Sequence, residues 1–179
     1  MQTYDLSPAA AAERLVAFLN SHGVGFDTGH DLLGAAEAPA RDCAALGYPG
    51  VPFPSDEALA QARALRTLLV EGAGADGAGP FARRELNALA GTLPFVYRFD
   101  ADGKALPVPA RDGLAARVLV DLAAVGAAGH WARIKVCAND ACKALFYDTT
   151  KARTRRWHSF ELCGNKANVA AHRQRQAGA

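Results

Sequence analysis

"VCANDACKALFYDTTKARTRRWHSFELCGNK", residues 136–166, decides the architecture because it holds three of the chain's four cysteines. Cys137 and Cys142 are separated by four residues, and so are His158 and Cys163. Between the two pairs lies a loop rich in Lys and Arg. Zinc prefers four thiolate or imidazole ligands in a tetrahedral shell, and structural zinc sites leave no position open. The spacing therefore predicts a structural Zn²⁺ site at these four residues.

The residues around the two pairs support this prediction. "RIKVCANDACKALFYD" predicts two strands joined by a tight turn that brings the first two sulfurs together. Ser159 is predicted to cap a helix that runs on to His172, which is an alternative fourth ligand. A disulfide is disfavoured by a reducing compartment, and a redox pair is more usually separated by two residues than by four. A module this small could hardly bury enough surface to fold without a metal.

Charge is distributed unevenly along the 179 residues. Residues 1–130 contain ten Lys and Arg against fifteen Asp and Glu, a formal charge of −5. Residues 131–179 contain ten against three, a formal charge of +7. This asymmetry indicates a basic module attached to an acidic body, which is typical of a nucleic-acid footprint and also of a solvated tail.

The first 130 residues read mainly as helices. Helices are predicted from Ser7 to Gly23, weakly from Glu37 to Leu46, from Ser55 through Leu69, over "FARRELNALAG", and from Asp112 as the cap through Val125. The stretch "FVYRFDADGKALPVP" predicts a β-hairpin that turns at Asp102-Gly103. The predicted fold class is α+β: a mostly helical domain with a β-hairpin over residues 1–130, then a small treble-clef-like zinc finger (β-hairpin plus helix) over 131–179.

Several functional classes are disfavoured by the sequence. No apolar run has the length of a membrane span, and the N-terminus lacks the basic start and apolar core of a signal peptide. We therefore expect a cytoplasmic protein. No arrangement of nucleophile, base and orienting acid is visible, so we expect no enzymatic activity.

The motifs "CANDAC", "FYDT" and "RRWHSFELCGNK" together resemble the CGNR zinc finger, a C-terminal module of bacterial proteins. Upstream, "LVAFLNS", "EALAQARALRTLL" and "RRELNALA" resemble more loosely the ABATE domain that precedes this finger. The resemblance implies a stress-related transcriptional regulator whose finger binds DNA. The chain departs from the family's pattern at His158, where cysteine is usual, and at Lys166, where arginine is usual.

The predicted nucleic-acid contacts lie in the loop and in the last helix: Lys151, Arg153, Arg155, Arg156, Trp157, Lys166, Arg173 and Arg175. Trp157 has the alternative role of packing over the metal site, and an arginine of the loop that of bonding within the finger, for example to Asp148. Asn20 and Arg66 match recurring residues of the ABATE family and are weaker candidates for a ligand pocket. The expected partners are DNA, a further copy of the chain and an unidentified small-molecule effector. The alternative function is protein interaction or small-molecule sensing, with a structural finger that binds no nucleic acid.

Overall fold

The computed structural model describes residues 5–24, 31–34, 42–74, 80–99, 101–103, 105–165, 169 and 176. Its α-helices are α1 (Pro8–Asn20), α2 (Asp56–Gly74), α3 (Pro80–Gly91) and α4 (Leu114–Ala127). Its strands are β1 (Asp42–Cys43), β2 (Tyr48–Pro52), β3 (Phe95–Phe99), β4 (Ala105–Pro109), β5 (Ile134–Val136) and β6 (Leu145–Tyr147). The strands form antiparallel pairs β1–β2, β3–β4 and β5–β6. This mixture of helices and small antiparallel strand pairs confirms the α+β class.

Helix α1 begins where the sequence predicts. The Ser7 side chain accepts a hydrogen bond from the amide of Ala10 at 3.4 Å, and Pro8 occupies the first turn, where its missing N–H costs nothing. Its buried face carries Leu15, Phe18 and Leu19 among others. The helix ends at Asn20, three residues before the predicted stop at Gly23.

An ion pair joins α1 to α4. Arg14 donates from Nε to Asp121 Oδ2 at 2.9 Å and from a terminal nitrogen to Asp121 Oδ1 at 2.7 Å. The Asp121 side chain is fully buried, so it needs these charge-assisted bonds. Gly47, in the turn before β2, has φ +87° and approaches the same helix so closely that a Cβ would lie 3.2 Å from the Arg14 carbonyl oxygen.

The predictions for α2 and α3 are confirmed, and so is the hairpin. Asp56 and Glu57 lie in the first turn of α2, where the helix dipole favours negative charge, and α3 ends at Gly91. Strands β3 and β4 pair from Phe95 opposite Pro109 to Phe99 opposite Ala105.

Two local predictions are wrong. Residues 42–46 were expected to end a helix, but Asp42 and Cys43 form a strand and only Ala44–Leu46 make a short 3-10 turn; residues 37–41 lie outside the described part of the chain. Asp112 does not cap α4, because the N-cap residue is Gly113. The Asp112 carboxylate instead pairs with the Arg117 guanidinium at 2.6 and 2.8 Å.

The C-terminal hairpin packs into the body. Ile134 of β5 and Leu145 of β6 are buried in the same hydrophobic core as Leu15 and Val118. The Asn20 side chain, at the end of α1, donates to the Leu145 carbonyl at 2.9 Å and accepts from the Leu145 amide at 2.8 Å. The predicted domain boundary at residue 130 stays a prediction.

Among the described residues, no helix is both long enough and apolar enough to cross a lipid bilayer.

Candidate metal centre and its basic loop

The first cysteine pair lies at the ends of a tight turn between β5 and β6. The Cys137 amide donates to the Ala144 carbonyl at 2.8 Å, which continues the strand pairing into the turn. The Cys142 amide donates to the Asn139 carbonyl at 2.8 Å, and the Asn139 side chain accepts from the Ala141 amide at 3.1 Å. These bonds fold the turn back so that the two buried sulfurs converge, as the sequence predicted.

The second pair is positioned by a short helical turn over Phe160–Gly164, which contains Cys163. Ser159 caps it, since its hydroxyl accepts from the Leu162 amide at 3.1 Å. A Cβ at Gly164 would lie 2.7 Å from the Phe160 ring, so a larger residue here would require this half-exposed ring to shift. The predicted cap is confirmed, and His172 lies outside the described residues.

The four predicted ligands meet at one point. His158 Nδ1 lies 3.2 Å from Cys142 Sγ and 3.6 Å from Cys163 Sγ. The ligand atoms of Cys137, Cys142, His158 and Cys163 all lie within 4.8 Å of one another. Zn–S bonds of about 2.3 Å and Zn–N bonds of about 2.0 Å would place tetrahedral ligands roughly 3.5–3.8 Å apart. The donor set and its spacing therefore fit zinc, with Nδ1 as the imidazole ligand.

The thiols differ in how readily they ionise. Burial opposes ionisation of Cys137, but hydrogen bonds from the Asn139 amide and from His158 outweigh it and lower the pKa of this thiol to about 7. Burial raises the pKa of Cys142 to about 11. Metal ligation requires thiolates, so binding must displace the proton of Cys142. Uptake of zinc is therefore expected to release protons near neutral pH.

A comparison with protein families identifies the segment that contains the four ligands. Residues 133–176 match the CGNR zinc finger. No curated protein matches the chain. The family match and the converging donor atoms agree: Cys137, Cys142, His158 and Cys163 are positioned to bind a zinc ion in the CGNR finger. The resemblance of the first 130 residues to the ABATE domain stays a prediction.

Asp148 organises the basic loop of the CGNR finger. Its side chain is fully buried and accepts hydrogen bonds from Lys135 Nζ at 2.7 Å and from the Arg155 amide at 3.0 Å. Thr150 donates to it from the amide at 2.9 Å and from the hydroxyl at 2.6 Å. Burial opposes ionisation, but these bonds together hold the pKa of Asp148 well below its usual range. The loop is thus wrapped around a buried carboxylate.

A set of inner cations, Arg133, Lys135 and Arg155, holds the same loop. Arg133 donates to the carbonyls of Asp148 at 2.9 Å and Thr150 at 3.0 Å, and Lys135 donates to the Arg153 carbonyl at 2.5 Å. Neither Arg133 nor Lys135 was predicted from the sequence to have a role. A signal was available, since these two cations alternate with Ile134 and Val136 over residues 133–136, at and just before β5, and so predict one basic and one apolar face.

Arg155 has the structural role that was considered as an alternative. Its guanidinium donates to the Trp157 carbonyl at 2.9 Å and to the His158 carbonyl, and it lies 5.1 Å from the centre of the Phe146 ring. It therefore fixes the backbone of a zinc ligand. The Asp148 contact is made by the Arg155 amide, not by its guanidinium.

A set of outer cations, Lys151, Arg153 and Arg156, is exposed on the same loop. Trp157 packs against the cysteine cluster, as the alternative for that residue held, and Arg156 lies 5.2 Å from its ring centre. The other predicted nucleic-acid contacts, Lys166, Arg173 and Arg175, lie outside the described residues.

The two pocket candidates of the body bond within the chain. Asn20 uses its amide group on Leu145, as described above. Arg66 is buried and makes two bonds to the Asp31 carboxylate, at 2.6 and 2.7 Å, and one to the Ser21 hydroxyl at 2.9 Å. Both side chains therefore connect parts of the fold. Neither lines the groove beside Trp157 and Phe160 or the groove between α3, α4 and β3.

Proposed function

We propose that the protein is a cytoplasmic bacterial transcriptional regulator that binds nucleic acid through the basic loop of its CGNR finger. The zinc ion has a structural role in a treble-clef-like arrangement of hairpin and helix. The ABATE-like body carries the regulatory part, and the proposal assigns no enzymatic reaction to the chain. The observation that carries it is the exposure of the outer cations on a loop that Asp148 holds from inside and that leads into the cluster of zinc ligands.

The division between inner and outer cations supports phosphate binding. The inner cations are engaged by backbone carbonyls, a ring or a carboxylate of the finger. The outer cations lie where a phosphate can reach them, and their loop is already ordered, so little conformational entropy is lost on binding. Arg155 is therefore left out of the proposed phosphate contacts.

A groove of about 440 Å³ borders this surface and offers a place for a base. Its lining includes Arg156, Trp157 and Phe160, and the Phe160 side chain is more than half exposed. Trp157 and Phe160 meet edge to face, with ring centres 6.2 Å apart. Aromatic and guanidinium faces are the groups on which proteins stack unpaired bases. The groove therefore favours a nucleic acid with an accessible base over a purely electrostatic contact.

The test is a salt titration of binding to duplex and single-stranded oligonucleotides, followed by fluorescence anisotropy. We expect log Kd to rise linearly with log salt. A triple variant in which Lys151, Arg153 and Arg156 are all replaced by glutamine should have a shallower dependence of log Kd on log salt. The slope should fall by about 0.9 for each duplex phosphate that the variant no longer neutralises.

Lys143→Gln is the matched control, because this exposed lysine of the same finger lies outside the basic loop and pairs with Asp140. An equal effect per charge removed in the control and in the triple variant would indicate a general charge effect and contradict the proposal. Absence of salt-dependent binding in the zinc-loaded protein would contradict it as well.

Docking of the finger on another protein is the second candidate. Phe160, Leu162 and Val169 are each at least half exposed, and exposed apolar side chains that form a patch mark interaction sites. This candidate predicts that Leu162→Asp abolishes binding to a partner while the triple glutamine variant retains it. A pull-down with both variants separates the two functions.

A further inference from the structure

The hairpin β3–β4 has two edges that differ in their ability to accept another strand. The Ala110 amide donates to the Pro94 carbonyl at 2.9 Å, which makes this pair hydrogen-bonded. Hydrogen-bonded and non-hydrogen-bonded pairs alternate along an antiparallel ladder. The pairs Phe95–Pro109, Tyr97–Pro107 and Phe99–Ala105 are therefore non-hydrogen-bonded, and their backbone polar groups point away from the partner strand.

The outer edge of β4 is blocked by proline, whereas no other strand among the described residues pairs with the outer edge of β3, so this edge is open within that part of the chain. Pro107 and Pro109 occupy outward positions of β4, where they have no N–H to donate. The corresponding positions of β3 are Phe95, Tyr97 and Phe99, each with an amide and a carbonyl directed outward. Prolines are a common protection of an edge strand, and here they protect only one of the two edges.

Exposed apolar side chains lie along the open edge. Tyr97 and Phe99 are 71% and 72% exposed, and Val96 is 46% exposed. A groove of about 340 Å³ lies between α3, α4 and the face of β3 that carries Phe95 and Tyr97. Exposed aromatic residues next to an open strand edge and an apolar groove indicate an interaction surface.

We propose that two copies of the chain pair through β3 in an antiparallel, twofold-symmetric arrangement centred on Tyr97. In this register Tyr97 lies opposite Tyr97 of the second copy, and Phe95 lies opposite its Phe99. Each such pair exchanges two backbone hydrogen bonds, since all these residues direct their polar groups outward. Arg98 lies opposite Val96, so the register creates no pair of like charges.

A second copy fits this surface better than an arbitrary strand does, because β3 carries both the projecting side chain, Phe99, and a residue that lines the groove, Phe95. Paired residues project from the same face of a sheet, so Phe99 of one copy points to the face that carries Phe95 of the other. Phe95 lines the groove, and Phe99 is therefore directed at its mouth. The twofold axis repeats the contact, which is the condition for a closed, isologous dimer.

The size of the surface predicts a weak dimer. Burying the exposed parts of Tyr97 and Phe99 would remove about 200–350 Å² of surface per copy. A stable interface buries about 800 Å² per partner, so backbone pairing and the groove must supply the remainder. We expect dissociation constants in the micromolar range and a mass that depends on concentration.

The first test is sedimentation velocity of the zinc-loaded full chain over a wide concentration range. We expect a monomer–dimer equilibrium that Phe99→Arg weakens at least about tenfold. Leu162→Arg is the control, since Leu162 is a half-exposed apolar residue of the finger. A wild-type protein that stays monomeric, or a dimer that loses affinity equally in both variants, would overturn the proposal.

The second test fixes the register by cross-linking. Directly paired residues with Cα atoms about 5.5 Å apart are within disulfide range, so Tyr97→Cys should form a covalent dimer on mild oxidation. Phe99→Cys is equally exposed and on the same face, but its two copies would lie roughly 13 Å apart along the strands and should stay uncross-linked. Equal cross-linking of both variants, or of neither, would overturn the register.

Discussion

His158 supplies an imidazole to the zinc site, and its surroundings hold both its ring and its backbone. Its Nδ1 faces the sulfurs of Cys142 and Cys163, while Arg155 holds its carbonyl. An imidazole in place of a thiolate makes the shell less negative by one charge.

We expect His158→Ala to weaken zinc binding by more than about 100-fold, because even residues that only orient a ligand cost 10–100-fold when removed. Competition with a chromogenic chelator measures this change. His130→Ala is the control, since His130 contacts Tyr147 at 2.8 Å and is not a ligand. If His158→Ala binds zinc with unchanged affinity, another residue must be the fourth ligand, and His172 is the first candidate.

The Asp31 carboxylate pairs with the buried Arg66 guanidinium. Hydrogen bonds from Arg66 hold the pKa of this carboxyl below its usual value of 3.8. A lowered folded-state pKa contributes stability above the unfolded pKa of about 4, and this contribution is lost as the pH falls through the folded value. Urea unfolding should therefore show Asp31→Asn about 1 kcal/mol less stable than wild type from pH 5 to 7, with the difference shrinking below about pH 4. A difference independent of pH would contradict this origin.

Several groups of the loop around Asp148 bond to this one carboxylate. Removing the charge leaves Lys135 without its carboxylate and the loop amides with a weaker acceptor, and breaking a buried ion pair costs about 3 kcal/mol. Asp148→Asn should lower the free energy of unfolding by about this amount and expose residues 148–155 to limited proteolysis. Asp140→Asn removes an exposed carboxylate from the same finger and should change neither measurement.

The Asn20 side chain at the end of α1 bonds to the backbone of Leu145 in β6, and we expect this contact to contribute to stability. Asn20→Ala would leave the amide and the carbonyl of Leu145 without their side-chain partner, which costs about 1–3 kcal/mol for partly buried groups. Chemical denaturation measures the change, and Asn87→Ala on the exposed side of α3 is the control. If both variants unfold at the same denaturant concentration as wild type, the Asn20 contact contributes nothing to stability.

The elements that sequence reasoning predicted are those specified by local signals. Helix α1 has a serine cap, a first-turn proline and a periodic apolar face, and the four zinc ligands have their own spacing. Strand β2 was missed because "YPGVP" shows no alternation of apolar and polar residues and contains one β-branched residue. The strand forms by pairing with β1. The role of Asn20 was beyond prediction, since its partner lies 125 residues further along the chain.

At the scale of the whole molecule, the zinc site and the hydrophobic core are coupled. The turn that holds Cys137 and Cys142 closes the hairpin whose Ile134 and Leu145 lie in the core of the body. Loss of the metal should therefore destabilise the helices as well as the finger.

We expect removal of zinc with a chelator to lower the thermal midpoint of the entire protein in one cooperative transition. Hydrogen exchange should accelerate at the amides of α1, and adding zinc back should restore their protection. Unchanged exchange in α1 after complete removal of zinc would show that the body is stable independently of the finger.

The shared core also limits how the chain can be divided. A fragment beginning at residue 131 would carry Ile134 and Leu145 into water, and the remaining 130 residues would be left with a matching apolar depression beside the end of α1. Grafting this finger onto an unrelated protein would therefore require the graft to bring its own docking helix, with an asparagine at the position of Asn20. Recombination between genes could exchange the body and the finger only as a matched set.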